Sequence, residues 1–155
     1  MMNPSDRLTR LGLKLPTAVK PTFKYVPVTF HGDLAFVSGQ LPWVDGEIKT
    51  VGLLGAAVSL DQGKEAARMC GLQALSCLEQ ALGSINQIVR IIKLSGFVQS
   101  TPDFHQQPSI IDAASELMFD IFGEGGRHAR SAIGVAALPR NAPVELEVIA
   151  TVRAR

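Results

Sequence analysis

The chain has 155 residues, which is the length of one domain, and we treat residues 1–155 as a single domain. Its net charge is +1, from 15 basic and 14 acidic residues, so nucleic-acid binding through a strongly positive surface is not expected. Hydrophobic residues make up 46% of the chain and charged residues only 19%. This balance is typical of a chain with a substantial core and with some surface buried against copies of itself.

The start of the chain lacks the apolar stretch of a secretion signal, and no run of 18 apolar residues occurs. We therefore expect no membrane contact and a cytoplasmic location. Cys70 and Cys77 would lie about 10 Å apart on a helix, too far for a disulfide, and are interpreted as core residues in a reducing compartment. The histidines His31, His105 and His128 lack suitably spaced acidic or cysteine partners, so no metal site is predicted.

The first 22 residues predict an arm that packs on the body of the domain. Ser5 and Asp6 are residue types that favour a helix N-cap, and a short helix is expected after them. Two apolar runs between Lys24 and Gln40 then flank a turn and predict a β-hairpin. The residues from Pro42 to Gly46 predict a loop.

The rest of the chain predicts two helices and three strands. Ser59 and Gln62 have the spacing of a capping box at the start of the first of these helices. In chain order the elements are a helix over 59–82, a strand over 88–98, a helix over about 108–122, a strand over 129–138 and a strand over 144–152. The order β-β-α-β-α-β-β predicts a two-layer α+β domain in which helices cover a mixed sheet.

Charged residues near the ends of the last two strands are the candidates for a site. Arg130 begins an otherwise uncharged strand, where its guanidinium either binds a carboxylate with two hydrogen bonds or bridges Glu145 or Glu147 on the surface. Glu145 and Glu147 lie on one face of the last strand. They either assist arginine orientation and proton transfer or belong to a solvated face.

Ser38, Gly39 and His128 are weaker candidates for the same site. Ser38 ends a buried strand and precedes Gly39, so its hydroxyl and the nearby backbone N–H groups either donate to a ligand oxygen or serve the turn alone. The G-x-S-x-G pattern of a nucleophilic serine is missing. His128 is close enough in sequence to line a cleft around Arg130.

Two segments together resemble the YjgF/Rid family. One is residues 128–139 (HARSAIGVAALP) followed by residues 144–150 (VELEVIA), and the other is residues 36–42 (FVSGQLP). The likeness extends from about Tyr25 to the C-terminus. It implies a chorismate-mutase-like fold, with three subunits around a central barrel and ligand clefts between neighbouring subunits.

The resemblance also implies a reaction. Members of this family hydrolyse reactive 2-imino or 2-enamino acids to 2-keto acids and ammonia, with neither a metal nor an organic cofactor. The partner is then a small carboxylate-bearing metabolite. The resemblance implies Arg130, Glu145 and Ser38 as catalytic residues and adds Tyr25 as a ligand contact. The full set predicted to bind the ligand is Arg130, Tyr25, Gly39, Asp112, Ala132 and His128.

The chain departs from this pattern at two positions. Ala132 stands where many members carry cysteine, and Asp112 stands where many carry asparagine. An anionic Asp112 repels a carboxylate ligand unless it is paired or protonated. Two alternatives to imine hydrolysis stay open. One is a non-catalytic protein that binds keto acids, which these two departures favour. The other is the endoribonuclease or translation-inhibitor activity attached to the family, for which the 6% aromatic content offers few stacking partners.

Overall fold

The computed structural model describes residues 2–154. The long helices and strands follow one another in the predicted order, with one additional pair of two-residue strands. The elements are α1 (Pro4–Arg10), β1 (Val28–His31), β2 (Leu34–Gln40), β3 (Trp43–Val44), β4 (Glu47–Ile48), α2 (Leu60–Leu82), β5 (Ile88–Gln99), α3 (Gln107–Phe122), β6 (Ala129–Val135) and β7 (Val144–Val152). None of the helices in this described part is long and apolar enough to span a bilayer.

Five strands form one mixed sheet in the order β1-β2-β7-β5-β6. The neighbours in this sheet run antiparallel except β5 and β6, which run parallel and are joined through α3. The last strand, β7, therefore lies in the centre of the sheet, between β2 and β5. The two-layer α+β architecture and the β-β-α-β-α-β-β order predicted from the sequence are confirmed.

The long helix α2 begins and ends where its flanking residues predict. The Ser59 hydroxyl accepts a hydrogen bond from the Gln62 backbone N–H at 3.2 Å, and the Gln62 side chain accepts one from the Ser59 N–H at 2.9 Å. Gly83 ends the helix in the left-handed conformation, which glycine adopts without a steric penalty. Cys70 and Cys77 are buried on this helix as free thiols.

Three local predictions were wrong in detail. Helix α1 is capped by Asn3, whose side chain accepts from the Asp6 N–H at 2.9 Å, rather than by Ser5 or Asp6. The predicted loop over 42–46 instead forms β3 and the turn of a short hairpin with β4, because Asp45 and Gly46 both adopt the positive φ of a tight hairpin turn. Strand β6 ends at Val135 rather than Leu138, whose N–H instead donates to the Gln99 side chain at 2.6 Å.

The two faces of the sheet differ because both long helices pack on the same one. Close packing on that face is visible at Gly96, where an added Cβ would lie 2.5 Å from Ile111 of α3. We call the other side the open face. Its residues include Phe36, Phe97, Ile133, Glu145, Glu147 and Ile149, and Phe36 and Ile133 remain 37% and 49% exposed.

Candidate functional site

The strand register places Arg130 and Glu145 on opposite faces of the sheet. Arg130 lies opposite Leu94 of β5, and Leu94 lies opposite Val148 of β7; both of these neighbours are buried beneath the helices. Glu145 lies opposite Phe97, a residue of the open face. Since residues paired across strands share a face, Arg130 points toward α3 and Glu145 points away from the helices.

Arg130 is held by two side chains of α3. Its Nη1 atom donates to Asp112 Oδ1 at 2.6 Å and to Ser115 Oγ at 3.2 Å. Asp112 and Ser115 are three residues apart and therefore lie on one face of the helix. The alternative that Arg130 bridges Glu145 or Glu147 is wrong, because its ion pair is with Asp112 and the two glutamates lie across the sheet.

His128 extends this cluster. Its Nδ1 lies 2.6 Å from the Gly126 carbonyl oxygen, which can only accept, so Nδ1 carries the proton. Its Nε2 then accepts from the Ser115 hydroxyl at 3.0 Å. Partial burial, together with the nearby Arg130 charge, lowers the pKa of His128 and favours this neutral form. The resulting chain runs from the Arg130 N–H through the Ser115 hydroxyl to the imidazole.

An open cavity of about 580 Å³ lies over this cluster. Its lining residues are Asp112, Ser115, Phe119, Gly126, Arg127, His128 and Arg130. The Arg127 guanidinium stands 5.5 Å from the centre of the Phe119 ring and forms an exposed ion pair with Glu124. Arg130 is better shielded, with 24% of its side chain exposed.

Glu145 lines a second cavity, of about 360 Å³. This cavity also contains Tyr25, Gly39, Trp43 and Arg140. The Glu145 carboxyl packs directly against Gly39, where an added Cβ would overlap it. Partial burial, with a smaller contribution from the charge of Glu147, raises the pKa of Glu145.

A β-bulge shapes this second cavity. In the pairing of β2 with β7, Val37 lies opposite Val148, but the next pair is Gln40 with Leu146, so β2 contains one extra residue here. A bulge bends the strand and changes the direction of its side chains. The SGQ segment recognised in the sequence is therefore the distortion that brings the Gly39 backbone against Glu145.

Comparison with known proteins places the chain in a family. Residues 5–151 match the family described as "YjgF/chorismate_mutase-like, putative endoribonuclease". The chain belongs to the YjgF/chorismate mutase-like family. Protein TCP17 of Trypanosoma cruzi is 44% identical over 143 residues, which cover 92% of this chain and 89% of that protein. A RutC family protein of Haemophilus influenzae is 30% identical over 139 residues, covering 88% of this chain and 91% of its own.

Solved structures of similar proteins have the same fold. The protein Atu1372 of Agrobacterium tumefaciens, whose function is unknown, superposes with a TM-score of 0.89 at 43% identity and covers 96% of this chain and 92% of its own. A protein of Shewanella oneidensis, described as a "putative endoribonuclease", superposes with a TM-score of 0.94 at 32% identity. The match covers 97% of this chain and 100% of that chain. The resemblance to the YjgF/Rid family proposed from two motifs is thus confirmed.

The YjgF-type site residues predicted from the sequence fall into two groups. Arg130, Asp112 and His128 share one cavity, whereas Tyr25, Gly39 and Glu145 share the other. The remaining two line neither cavity. The Ser38 hydroxyl donates to the Val26 carbonyl at 2.8 Å, and Ala132 packs against the core. Ser38 thereby holds the segment that carries Tyr25, and its catalytic role stays a prediction.

Sequence reasoning missed Ser115 and Arg140. Ser115 could have been found from its i+3 spacing to Asp112 once that helix was predicted. Arg140 adopts a positive φ of 57° and stands 5.1 Å from the centre of the Trp43 ring in the wall of the Glu145 cavity. Within residues 2–154, no group of three or more histidine, cysteine, aspartate or glutamate side chains is arranged to hold a metal ion.

Replacing Glu145 with glutamine is expected to stabilise the fold at neutral pH. Because its folded-state pKa is raised, Glu145 contributes full stability below its unfolded pKa of about 4.5 and loses that contribution as the pH rises through the higher folded value. The neutral isostere does not incur this loss. Urea denaturation should therefore show Glu145→Gln to be slightly more stable than the parent at pH 7 and equal to it near pH 4.

A matched control for this measurement is Glu116→Gln, which changes an exposed carboxylate on α3 outside both cavities. It is expected to leave the difference between pH 7 and pH 4 unchanged. Equal stability of the Glu145 variant and the parent at pH 7 would mean that water solvates this carboxylate fully.

Proposed function

We propose that the protein hydrolyses reactive 2-imino acids to 2-keto acids and ammonia, in clefts that form between the subunits of a homotrimer. The observation that carries the proposal is the state of the Arg130 guanidinium. Its Nη1 is fixed by Asp112 and Ser115, while Nη2 and Nε have no hydrogen-bond partner among residues 2–154 and border an open cavity. A planar donor edge held in this way suits a ligand carboxylate.

The separation of the predicted site residues into two cavities supports a trimer. Arg130 and Glu145 lie on opposite faces of the sheet, so one subunit does not bring them to a common ligand. In a closed ring, the Arg130 cavity of one subunit adjoins the Glu145 cavity of the next. The open face, with partly exposed Phe36 and Ile133, is the apolar surface that such a ring would bury.

The proposed chemistry needs positioning and one proton carrier. Water attacks the electrophilic carbon of the iminium group, and the carbon–nitrogen bond then breaks, so that R–C(=NH₂⁺)–COO⁻ and water give R–CO–COO⁻ and NH₄⁺. Arg130 would hold the carboxylate and reduce the entropic cost of the reaction. Glu145 would take a proton from the attacking water and return it to the departing nitrogen. Its raised pKa brings it closer to neutral pH, where such a carrier works best.

The test is hydrolysis of a 2-imino acid generated freshly by an amino acid oxidase. We expect the protein to release ammonia faster than the spontaneous reaction does, and its mass in light scattering to be that of three chains. An unchanged rate of ammonia release would overturn the proposed reaction. A monomeric mass would overturn the shared cleft.

The second candidate function is binding of a metabolite without turnover, and the presence of alanine at position 132 favours it. This residue lies two positions after Arg130 on β6 and offers neither a nucleophile nor a proton carrier. Titration with a 2-keto acid distinguishes the two candidates, since a sensor would bind it without accelerating imine hydrolysis. Cleavage of RNA, the activity in the descriptions of some similar structures, is measured in parallel.

A further inference from the structure

The carboxylate of Asp112 changes what the Arg130 cavity can recognise. Asp112 Oδ1 lies 2.6 Å from Arg130 Nη1, so the cation expected to bind a ligand carboxylate already has an internal anion beside it. The two charges sum to zero. A ligand that carries only a carboxylate is attracted by Arg130 and repelled by the neighbouring Asp112.

Both members of the pair keep atoms available to a ligand. Arg130 uses only Nη1, and Asp112 uses only Oδ1, for hydrogen bonds within residues 2–154. Asp112 is the more exposed of the two, with 55% of its side chain accessible against 24% for Arg130. Both line the same cavity, so its wall presents a free donor edge next to a free acceptor oxygen.

Such a wall is complementary to a ligand whose own charges are adjacent. A 2-amino acid, or a 2-imino acid in its iminium form, carries a carboxylate and a cationic nitrogen on neighbouring carbons. Its carboxylate fits the free edge of Arg130 and its nitrogen fits the free oxygen of Asp112. A 2-keto acid has a carbonyl oxygen in place of the nitrogen, and this oxygen, which is also a hydrogen-bond acceptor, is repelled by the Asp112 carboxylate.

We propose that Asp112 makes this cavity selective for ligands with a cationic nitrogen beside the carboxylate, over 2-keto acids of the same skeleton. The inference rests on the proposed function and names the determinant of its substrate class. Hydrolysis removes the cationic nitrogen as NH₄⁺, so the product loses its attraction to Asp112 and leaves the site more readily than the substrate.

The test compares two ligands of equal skeleton, 2-aminobutanoate and 2-oxobutanoate, by NMR titration of the parent and of Asp112→Asn. The amino acid is a stable stand-in for the iminium. The parent is expected to bind the amino acid more tightly. In the variant, affinity for the amino acid should fall by roughly tenfold while affinity for the keto acid rises several-fold.

Opposite changes for the two ligands separate recognition from a merely structural role. If Asp112 only orients Arg130, Asp112→Asn will weaken both ligands together, and that result would overturn the inference while leaving carboxylate binding at Arg130 in place. Asp120→Asn, an exposed change on the same helix outside the cavity, is the control and should alter neither affinity. Failure of the parent to bind either ligand would overturn the proposed function itself, and the inference with it.

Discussion

Replacing Arg130 with alanine is expected to lower kcat/KM for 2-imino acid hydrolysis by roughly 10²- to 10³-fold. The variant would lose the charge-assisted contact proposed between Arg130 and the ligand carboxylate, and truncating one partner of such a pair costs about 2–5 kcal/mol. Asp112 would also stand unpaired beside the ligand and repel it. The measurement is the initial rate of ammonia release at several substrate concentrations.

The matched control is Arg127→Ala. Arg127 lines the same cavity, but it is exposed and paired with Glu124, so its removal should change kcat/KM by less than about threefold. If Arg130→Ala and Arg127→Ala have the same rate, the assignment of Arg130 to the ligand carboxylate is wrong.

Mixing two variants that each lack one of the proposed catalytic groups extends this prediction to the shared cleft. Co-expression of Arg130→Ala with Glu145→Gln in equal amounts should restore about one quarter of the parental activity. The reason is that a cleft has an even chance of holding an intact Arg130 and an even chance that its neighbour supplies an intact Glu145. Absence of recovery would mean that Arg130 of one subunit and Glu145 of its neighbour do not act on the same ligand.

Replacing Gly126 with alanine is expected to destabilise the protein by about 3 kcal/mol, a fall of roughly 10 °C in Tm. Gly126 is buried in the tight 3₁₀ turn after α3. An added Cβ would overlap the Met118 carbonyl and lie 2.8 Å from the Phe119 Cα, so backbone rather than a flexible side chain would have to move. Urea denaturation and thermal melting measure the effect.

The same change should also weaken ligand binding. The Gly126 carbonyl accepts the hydrogen bond that fixes His128, and His128 in turn contacts Ser115 beside Arg130. Gly125→Ala is the control in the same turn, because its Cβ would approach the nearest atom, the Val89 carbonyl oxygen, only to 3.0 Å. A Gly126 variant as stable as the Gly125 variant would show that the turn can shift away from α3 at little cost.

Local patterns predicted the elements whose signals lie close together in sequence. The capping box of Ser59 and Gln62 spans three residues, and the alternation along β7 repeats every two, so neither depends on distant parts of the chain. Asp45 and Gly46 also favour a tight hairpin turn, so these two residues indicate the β3–β4 hairpin, which the prediction of a loop misses.

The partners of Arg130 could not be predicted in the same way. Asp112 and Ser115 precede it by 18 and 15 residues and lie on a different element. Their contact with Arg130 depends on how α3 is rotated on the sheet and on the parallel pairing of β6 with β5. Those are outcomes of packing, which helical spacing alone does not specify.

By itself the sequence determined the α+β class, the order of the elements, the family motifs and the two faces of β7, because these follow from short-range periodicity and turn chemistry. Only the tertiary structure decided that Arg130 and Glu145 project from opposite faces and line separate cavities. That result depends on the register of β7 against β5 and of β5 against β6, and a shift of one residue in either pairing would have reversed it.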